Sequence, residues 1–453
     1  MAVASLTQPI TVQLAALLLR PVSARARHAA ARRVLDWVGC AVGALRSPLA
    51  APLARVIARY RQPGAALLLG RGRADVLSAL GWNAALGNLL EMDDLHRAAI
   101  LHPGPICIPV ALAMTDSEGA DGAALLDAVV RGYEASIRIG QALGPPHYRH
   151  WHSTATCGSF GAAAAAGSVI GLDQAALAGA LAMAGSTTGG LWQVRHEPGF
   201  GKSIHNAESA RRGFNAAALA REGVWGPLAI LEGPQGLFAA TAAGSDPAAV
   251  IAAAGEWKIV ETSLKPWPAC RHAHPAIDAA RKLGLAAAEL AQIAVIKVAS
   301  YADALKFCDC AQPTTPAHAR FSLQHAVAIA LLRTRPQLAD FELAAIDEPE
   351  VARLRARVQL RIEADFEARY PQHYGAEVSV VYADGSERIA QVDDAWGDPE
   401  WPLDDAALID KARALMGHGA ASDAHIDRVV AACLALDRGG SLTPLAQALD
   451  ALP

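Results

Sequence analysis

The run Leu77-Ser-Ala-Leu-Gly-Trp-Asn-Ala-Ala-Leu-Gly-Asn-Leu89 leads straight into Leu90-Glu-Met-Asp-Asp-Leu-His-Arg-Ala-Ala-Ile-Leu-His-Pro-Gly-Pro105, and Ile106-Cys-Ile-Pro-Val-Ala-Leu-Ala113 follows. The outer runs are apolar and Ala-rich, and Ala has the highest helix propensity and is a weak strand former. Between them, Glu91, Asp93, Asp94, His96, Arg97 and His102 crowd polar groups into one short segment. Polar groups are expensive to bury unless paired, so the segment is either a solvated connection or a working site set among helices. As a connection, it uses Pro103 and Pro105 to open the next helix at its first turn. As a site, it has His102 or His96 exchanging a proton near neutral pH, with the carboxylates orienting or sharing it.

Outward from this stretch the helical texture continues. The chain has 453 residues, 53% hydrophobic but only 5% aromatic, with Ala supplying much of the apolar content. That composition predicts a mainly α fold, and the length exceeds one ordinary core. Residues 1–60 read as two helices, the second over Ala24–Leu45. Asp121 is placed to cap a helix carrying Leu126, Val130, Tyr133 and Ile137. Gly144-Pro-Pro-His-Tyr-Arg-His-Trp-His-Ser153 reads as a His-rich loop, followed by Ala/Gly-rich helices over 158–171 and 173–185 and another from Phe200 to Arg221. Near residue 265 the pattern changes. Gln292–Ser300 and Val358–Glu363 alternate like strands, Phe321–Arg333 stays helical, and Glu377–Val392 reads as a hairpin about Asp384-Gly385. The domains expected are a large all-helical one over 1–264, a smaller α+β one over 265–395, and helices within 396–453 that return to the first. Those closing helices span Asp404–Met416, Asp423–Leu436 and Leu442–Leu452.

Charge and cysteine content narrow the function. A formal net charge of −4 without a long basic run gives no electrostatic footprint for nucleic acid. Seven scattered cysteines do not read as a secreted disulfide framework, so a cytoplasmic setting is expected. Met1–Arg20 lacks the basic start of a signal peptide, and the acid-free, Arg-rich Arg20–Arg33 fits an amphipathic helix as well as a transit sequence. Gly171, Asp173 and Gln174 interrupt the most apolar later run, Ala162–Ala184, which argues against a membrane span.

Three further stretches carry candidate chemistry. His150-Trp-His152-Ser153 precedes a helix start, where backbone N–H groups favour an anion such as a carboxylate, although a loop histidine taken alone is ordinarily just solvated. Gly199-Phe-Gly-Lys-Ser-Ile-His205 offers Lys202 and His205, but His196 stands where a phosphate-binding loop requires Gly. Lys265-Pro-Trp-Pro-Ala-Cys-Arg-His-Ala-His274 combines a proline-locked turn with Lys265, Arg271 and His272, a set suited to carboxylates. No metal is expected: neither Cys270/His272/His274 nor Cys308/Cys310 has zinc-ligand spacing.

Taken in order, these stretches resemble the MmgE/PrpD family, which includes 2-methylcitrate dehydratases, cis-aconitate decarboxylases and an iminodisuccinate epimerase. The resemblance rests on Glu91-Met-Asp-Asp with His102-Pro-Gly, on His152-Ser-Thr with Gly158-Ser-Phe-Gly-Ala-Ala-Ala-Ala, and on Gly201-Lys-Ser-Ile-His. Lys265-Pro-Trp-Pro-Ala-Cys and Ala319-Arg-Phe-Ser-Leu-Gln complete it. It implies a large helical domain with an inserted α+β lid, a homodimer, and no metal or organic cofactor. It also implies acid–base chemistry on a small di- or tricarboxylate, with dehydration expected and epimerisation or decarboxylation as alternatives. Family positions fall on Glu91, His102, His152, Lys202 and Lys265, with Asp93, Arg271, His205 and His272 as further substrate contacts. Glu91 stands where the family often has Asp and Leu95 where it often has Thr, and the Glu91–His102 spacing is one residue longer than in decarboxylase members. A decarboxylase tyrosine maps near Phe307, which has no hydroxyl. These departures argue against cis-aconitate decarboxylation, leave the substrate open, and add weight to the competing reading, a carboxylate-binding protein without turnover.

Overall fold

The computed structural model describes residues 8–197, 199–439 and 441–452. It is about 60% helix and 9% strand, so the mainly α expectation holds. The chain divides into two compact units, one of residues 1–262 with 405–453 and one of residues 263–404.

The first unit is built from helices α1 (Ile10–Leu18), α2 (Ala24–Gly43), α3 (Ala50–Tyr60), α4 (Val76–Leu86), α5 (Gly104–Glu118), α6 (Gly122–Tyr148), α7 (Ser153–Val169), α8 (Gln174–Thr187) and α9 (Gly201–Arg221). Short polar caps start many of them. Ser23, Asp75, Asp121 and Asp173 each accept a hydrogen bond from a backbone N–H in the first turn of α2, α4, α6 and α8. The N-terminal region thus holds three helices rather than the two read from sequence. A small antiparallel hairpin, β1 (Ala66–Leu68) and β2 (Gly72–Ala74), which the sequence reading does not contain, follows α3. The Asp405–His418 helix packs along α2 so closely that a Cβ on Gly39 would stand 3.2 Å from the Ala412 Cα.

The stretch expected as a His-rich loop is mostly helical. Gly144 alone leaves helical geometry (φ 57, ψ −161), and Pro145-Pro146 then open a further turn that runs to Tyr148. Proline is well tolerated in a first helical turn because its missing N–H would have no partner there anyway. Among the described residues no single helix is long and apolar enough to cross a membrane.

The second unit contains a four-stranded sheet in the order β4-β3-β5-β6, formed by β3 (Ile293–Ser300), β4 (Val358–Ile362), β5 (Ala376–Tyr382) and β6 (Glu387–Val392). β3 pairs parallel with β4 and antiparallel with β5, and β5–β6 is the hairpin read from sequence, with Gly385 at φ 84 in its turn. Ile296, Val298, Val378 and Val380 on the central strands join one core with Ile277, Val327 and Ile329 of the His274–Lys282 and Leu323–Leu332 helices.

Candidate active site

The segment between α4 and α5 is not a solvated loop. Asp93, Asp94 and His96 expose 1%, 2% and 3% of their surface, so the polar cluster is paid for by internal pairing. Two of its residues hold positive φ without being glycine, Glu91 at 56 and Ile100 at 50. A β-branched residue in that region is strained, and strain persists only where surrounding contacts over-determine the backbone.

Those contacts reach in from far along the chain. Lys411, on the Asp405–His418 helix, donates to Asp36 of α2 and to the Met92 carbonyl at 2.6 Å. Asp94 accepts from the Gly104 N–H at 3.1 Å, tying the loop to the start of α5. A Cβ at Gly104 would collide with that carboxylate oxygen, so this approach requires glycine. Burial, reinforced by Asp36, raises the Asp94 pKa to about 7, against the opposing effect of the nearby Tyr133 hydroxyl.

Within this frame His102 is oriented. Its Nδ1 stands 2.9 Å from the Asp94 carbonyl and 2.9 Å from Asp93 Oδ2, while Asp93 Oδ1 accepts from Asn88 Nδ2 at 2.7 Å. Both groups facing Nδ1 are acceptors, so Nδ1 carries a ring proton and Nε2 is the nitrogen left to exchange one. Among the described residues nothing hydrogen-bonds Nε2. The backbone N–H of His102 donates to Thr154 Oγ1 on α7 at 3.0 Å.

His152 is the N-cap residue of α7 and is 2% exposed. Its ring stacks on Trp192, with centroids 4.5 Å apart, and its Nδ1 lies 3.3 Å from Nδ1 of His205 on α9. Burial pushes its pKa well below the ordinary imidazole range, and the charges of Lys202, His205 and His102 act the same way against Asp93. His205 is also lowered, by burial and then by Arg212. The two rings are therefore neutral and share one proton between their Nδ1 atoms. Whichever ring carries it decides whether His152 Nε2, buried and without a described partner, donates or accepts.

Lys202, in the first turn of α9, pairs with Glu91. Burial opposes its charge, but Glu91 and Asp93 outweigh that and raise its pKa, so it stays an ammonium. The first unit thus brings Glu91, Asp93, His102, His152, Lys202 and His205 together. His96 takes no part in this group: its Nε2 faces Glu261 at 3.3 Å and its Nδ1 accepts the Ala99 N–H, which leaves no nitrogen for the proton exchange considered from sequence. Of the three loop histidines only His152 belongs to it, since His147 turns to the Thr241 hydroxyl at 2.8 Å and His150 is exposed.

The second unit carries the remaining candidates. Lys265 is 1% exposed and lies among the largest fully buried side chains. Arg271 is buried and ion-paired to Asp398, with Nε and Nη1 finding no described partner. His272 is sandwiched between Phe307 and Tyr374, with centroid separations of 5.0 and 5.4 Å, and its Nδ1 lies 2.9 Å from the Tyr301 hydroxyl. Tyr301, Tyr370 and Tyr374 thus surround His272 with phenols, none of them at the Phe307 position that the resemblance points to. Their spacing over 301–374 gives no local motif. A separate group, His373, Asp394 and Glu400, brings ligand atoms within 4.8 Å of one another. No feature of the sequence reading singled it out.

A family model described as the MmgE/PrpD N-terminal domain matches residues 10–250. One described as the MmgE/PrpD C-terminal domain matches residues 267–436. The chain is similar to a cis-aconitate decarboxylase of Aspergillus terreus (strain NIH 2624 / FGSC A1156), 24% identical over 444 residues that cover 92% of this chain and 90% of the relative. It is 27% identical to the Homo sapiens cis-aconitate decarboxylase over 339 residues, 72% of this chain and 69% of that one. A cis-aconitate decarboxylase-like protein of Aspergillus oryzae is 31% identical over 224 residues, covering 47% of this chain and 45% of the relative.

Proposed function

Because this chain belongs to the MmgE/PrpD family, we propose that it is a lyase that moves a proton at a carbon next to a carboxylate of a small di- or tricarboxylate. The observation that carries this reading is the setting of His102, whose Nδ1 faces the Asp93 carboxylate and the Asp94 carbonyl. An imidazole whose Nδ1 is held by a carboxylate and a carbonyl presents a basic Nε2. His152, neutral and buried, supplies a hydrogen-bonding partner, and Lys202 supplies the cation for a substrate carboxylate.

In the dehydration we favour, the C–H bond beside the carboxylate breaks and its proton passes to His102 Nε2. The electron pair moves onto the carboxylate as an enolate, which Lys202 and the His152 ring stabilise. The C–O bond on the adjacent carbon then breaks, and the proton on Nε2 leaves with the hydroxide as water. Glu91 holds Lys202 in place, and Asp93 holds the His102 ring. Within the second unit, Lys265 and the spare N–H donors of Arg271 are groups suited to a carboxylate.

Decarboxylation is the second reading, favoured by similarity to the Aspergillus terreus enzyme across 92% of the chain. There the C–C bond to a carboxylate would break, carbon dioxide would leave, and a protonated His102 would deliver a proton to the carbanion. The test is a proton NMR time course in D2O with 2-methylcitrate, citrate, cis-aconitate and iminodisuccinate supplied separately. Deuterium beside a carboxylate supports proton transfer, and a new alkene signal from a hydroxy acid supports dehydration. Loss of carbon dioxide from cis-aconitate supports the second reading. His152→Ala should cut turnover roughly a hundredfold or more. Unchanged turnover in that variant would remove His152 from the site.

A further inference from the structure

Asn206 is wholly buried, yet neither its Nδ2 nor its Oδ1 meets a hydrogen-bonding partner among the described residues. An amide left unpaired at both ends is a rare and expensive arrangement, since each orphaned group forfeits the hydration it had in the unfolded chain. Such a residue calls for a ligand or another explanation.

Its position within the helical unit supplies one. Asn206 lies one turn beyond Lys202 on α9, and residues four apart share a helix face. The neighbouring positions fix the level of that turn. His205 meets the ring of His152, and Ser209 Oγ donates to the Ala155 carbonyl at 2.8 Å. Further along, a Cβ on Gly213 would collide with Ala162, so α9 runs tightly beside α7. The turn bearing Asn206 is therefore level with the first turn of α7, where Thr154 also holds the backbone of His102. One short section of the unit thus contains His102, the neutral His152, the charged Lys202 and an amide with no partner among the described residues.

We propose that Asn206 is a specificity-determining residue that reads a group able both to donate and to accept a hydrogen bond, a hydroxyl or an N–H function, on the carbon next to the one that bears the carboxylate held by Lys202. The inference rests on the carboxylate-lyase reading and narrows it. A carboxylate only accepts, so it satisfies Nδ2 and leaves Oδ1 unpaired. A hydroxyl or N–H function supplies the missing donor. Substrates with that function are favoured over olefinic or saturated acids of the same charge, because a site built around a polar partner discriminates strongly against a ligand lacking it.

The test compares ligand pairs that differ only in one hydroxyl, citrate against tricarballylate and malate against succinate, by calorimetric titration of the full chain. Wild type should bind the hydroxyl-bearing member of at least one pair roughly 10- to 100-fold more tightly. Asn206→Leu should erase that preference while leaving the thermal midpoint unchanged or higher, since the free protein loses an unpaired amide rather than a bond. Asn206→Ala serves as the second variant. Lys202→Met should weaken both members of a pair equally. If Lys202→Met weakens binding but wild type shows no preference, or the preference survives in both Asn206 variants, the inference is overturned and the carboxylate reading stands. If wild type binds none of the four acids, or Lys202→Met leaves binding intact, the carboxylate reading fails and takes the inference with it. Failure of both Asn206 variants to fold assigns the amide to the fold and overturns the proposal.

Discussion

Replacing Asp94 with Asn isolates one buried proton and its effect on stability. Asp94 ties the loop to α5 through Gly104, and burial beside Asp36 raises its pKa to about 7 from an ordinary 3.8. Between those values the folded chain keeps a proton that the unfolded chain releases. The stability associated with that proton is fully present below about pH 3.8, declines as pH rises, and is gone above about pH 7. A gap of about three pH units at about 1.4 kcal/mol each makes the full swing about 4 kcal/mol, an upper figure because the Asp36 and Asp93 charges are coupled to it. Asn keeps the acceptor oxygen and cannot ionise, so Asp94→Asn should lack this slope. The assay is urea unfolding at steps from about pH 4 to about pH 8, plotted as wild type minus variant so that other titrating groups, including the raised carboxyl of Asp278, cancel. A falling difference curve is expected. A curve flat to within about 0.5 kcal/mol, or one rising with pH, refutes the protonated, buried Asp94.

Other substitutions probe the remaining parts. Asp93→Asn removes the acceptor that fixes the His102 proton and should lower kcat by about two to four orders of magnitude with little change in KM, read by steady-state kinetics on whichever acid turns over. Equal loss in KM and none in kcat would make Asp93 a substrate contact instead. Lys411→Met strands Asp36 as an unpaired buried charge and should cost about 3 to 5 kcal/mol in urea unfolding, whereas adding Asp36→Leu should recover much of it. Should the double variant be no more stable than the single one, the pair is not the source of the loss. Lys202→Met should raise KM at least about tenfold while leaving the unfolding midpoint lowered only modestly, because Glu91 keeps some solvent contact. An unchanged KM would place the substrate carboxylate elsewhere.

The elements that were legible in the sequence are those fixed by neighbours along the chain. Asp121 caps α6 because its own side chain reaches the Ala124 N–H three residues on, and Val358–Ile362 alternates because a strand turns successive residues to opposite faces. The hairpin at Asp384-Gly385 was readable for the same reason. What escaped depended on distant partners or on a single torsion. Nothing local distinguishes Gly144 as a break between two helical segments, and Lys411 finds Asp36 across 375 residues. The cluster about Glu91 was visible as a concentration of ionisable groups, but the division of labour inside it was not. His96 and His102 look alike in sequence, and only the facing atoms, Glu261 for one and Asp93 for the other, separate them. Asn206 gave no signal at all, since an asparagine in a polar helix face is ordinary until burial strips it of water.

The bond from Lys411 to the Met92 carbonyl has a consequence for biosynthesis. Helices α1 to α9 can collapse as the chain emerges, but the segment bearing Glu91 and Asp93 is anchored by a residue made more than 300 positions later. During translation the strained backbone at Glu91 and Ile100 lacks this anchor; the holds from Gly104, Thr154 and Lys202 can form earlier, but the full set is complete only once residues 405–418 have left the ribosome. The nascent chain is thereby kept from displaying a finished proton-transfer centre until the whole intervening unit has been synthesised.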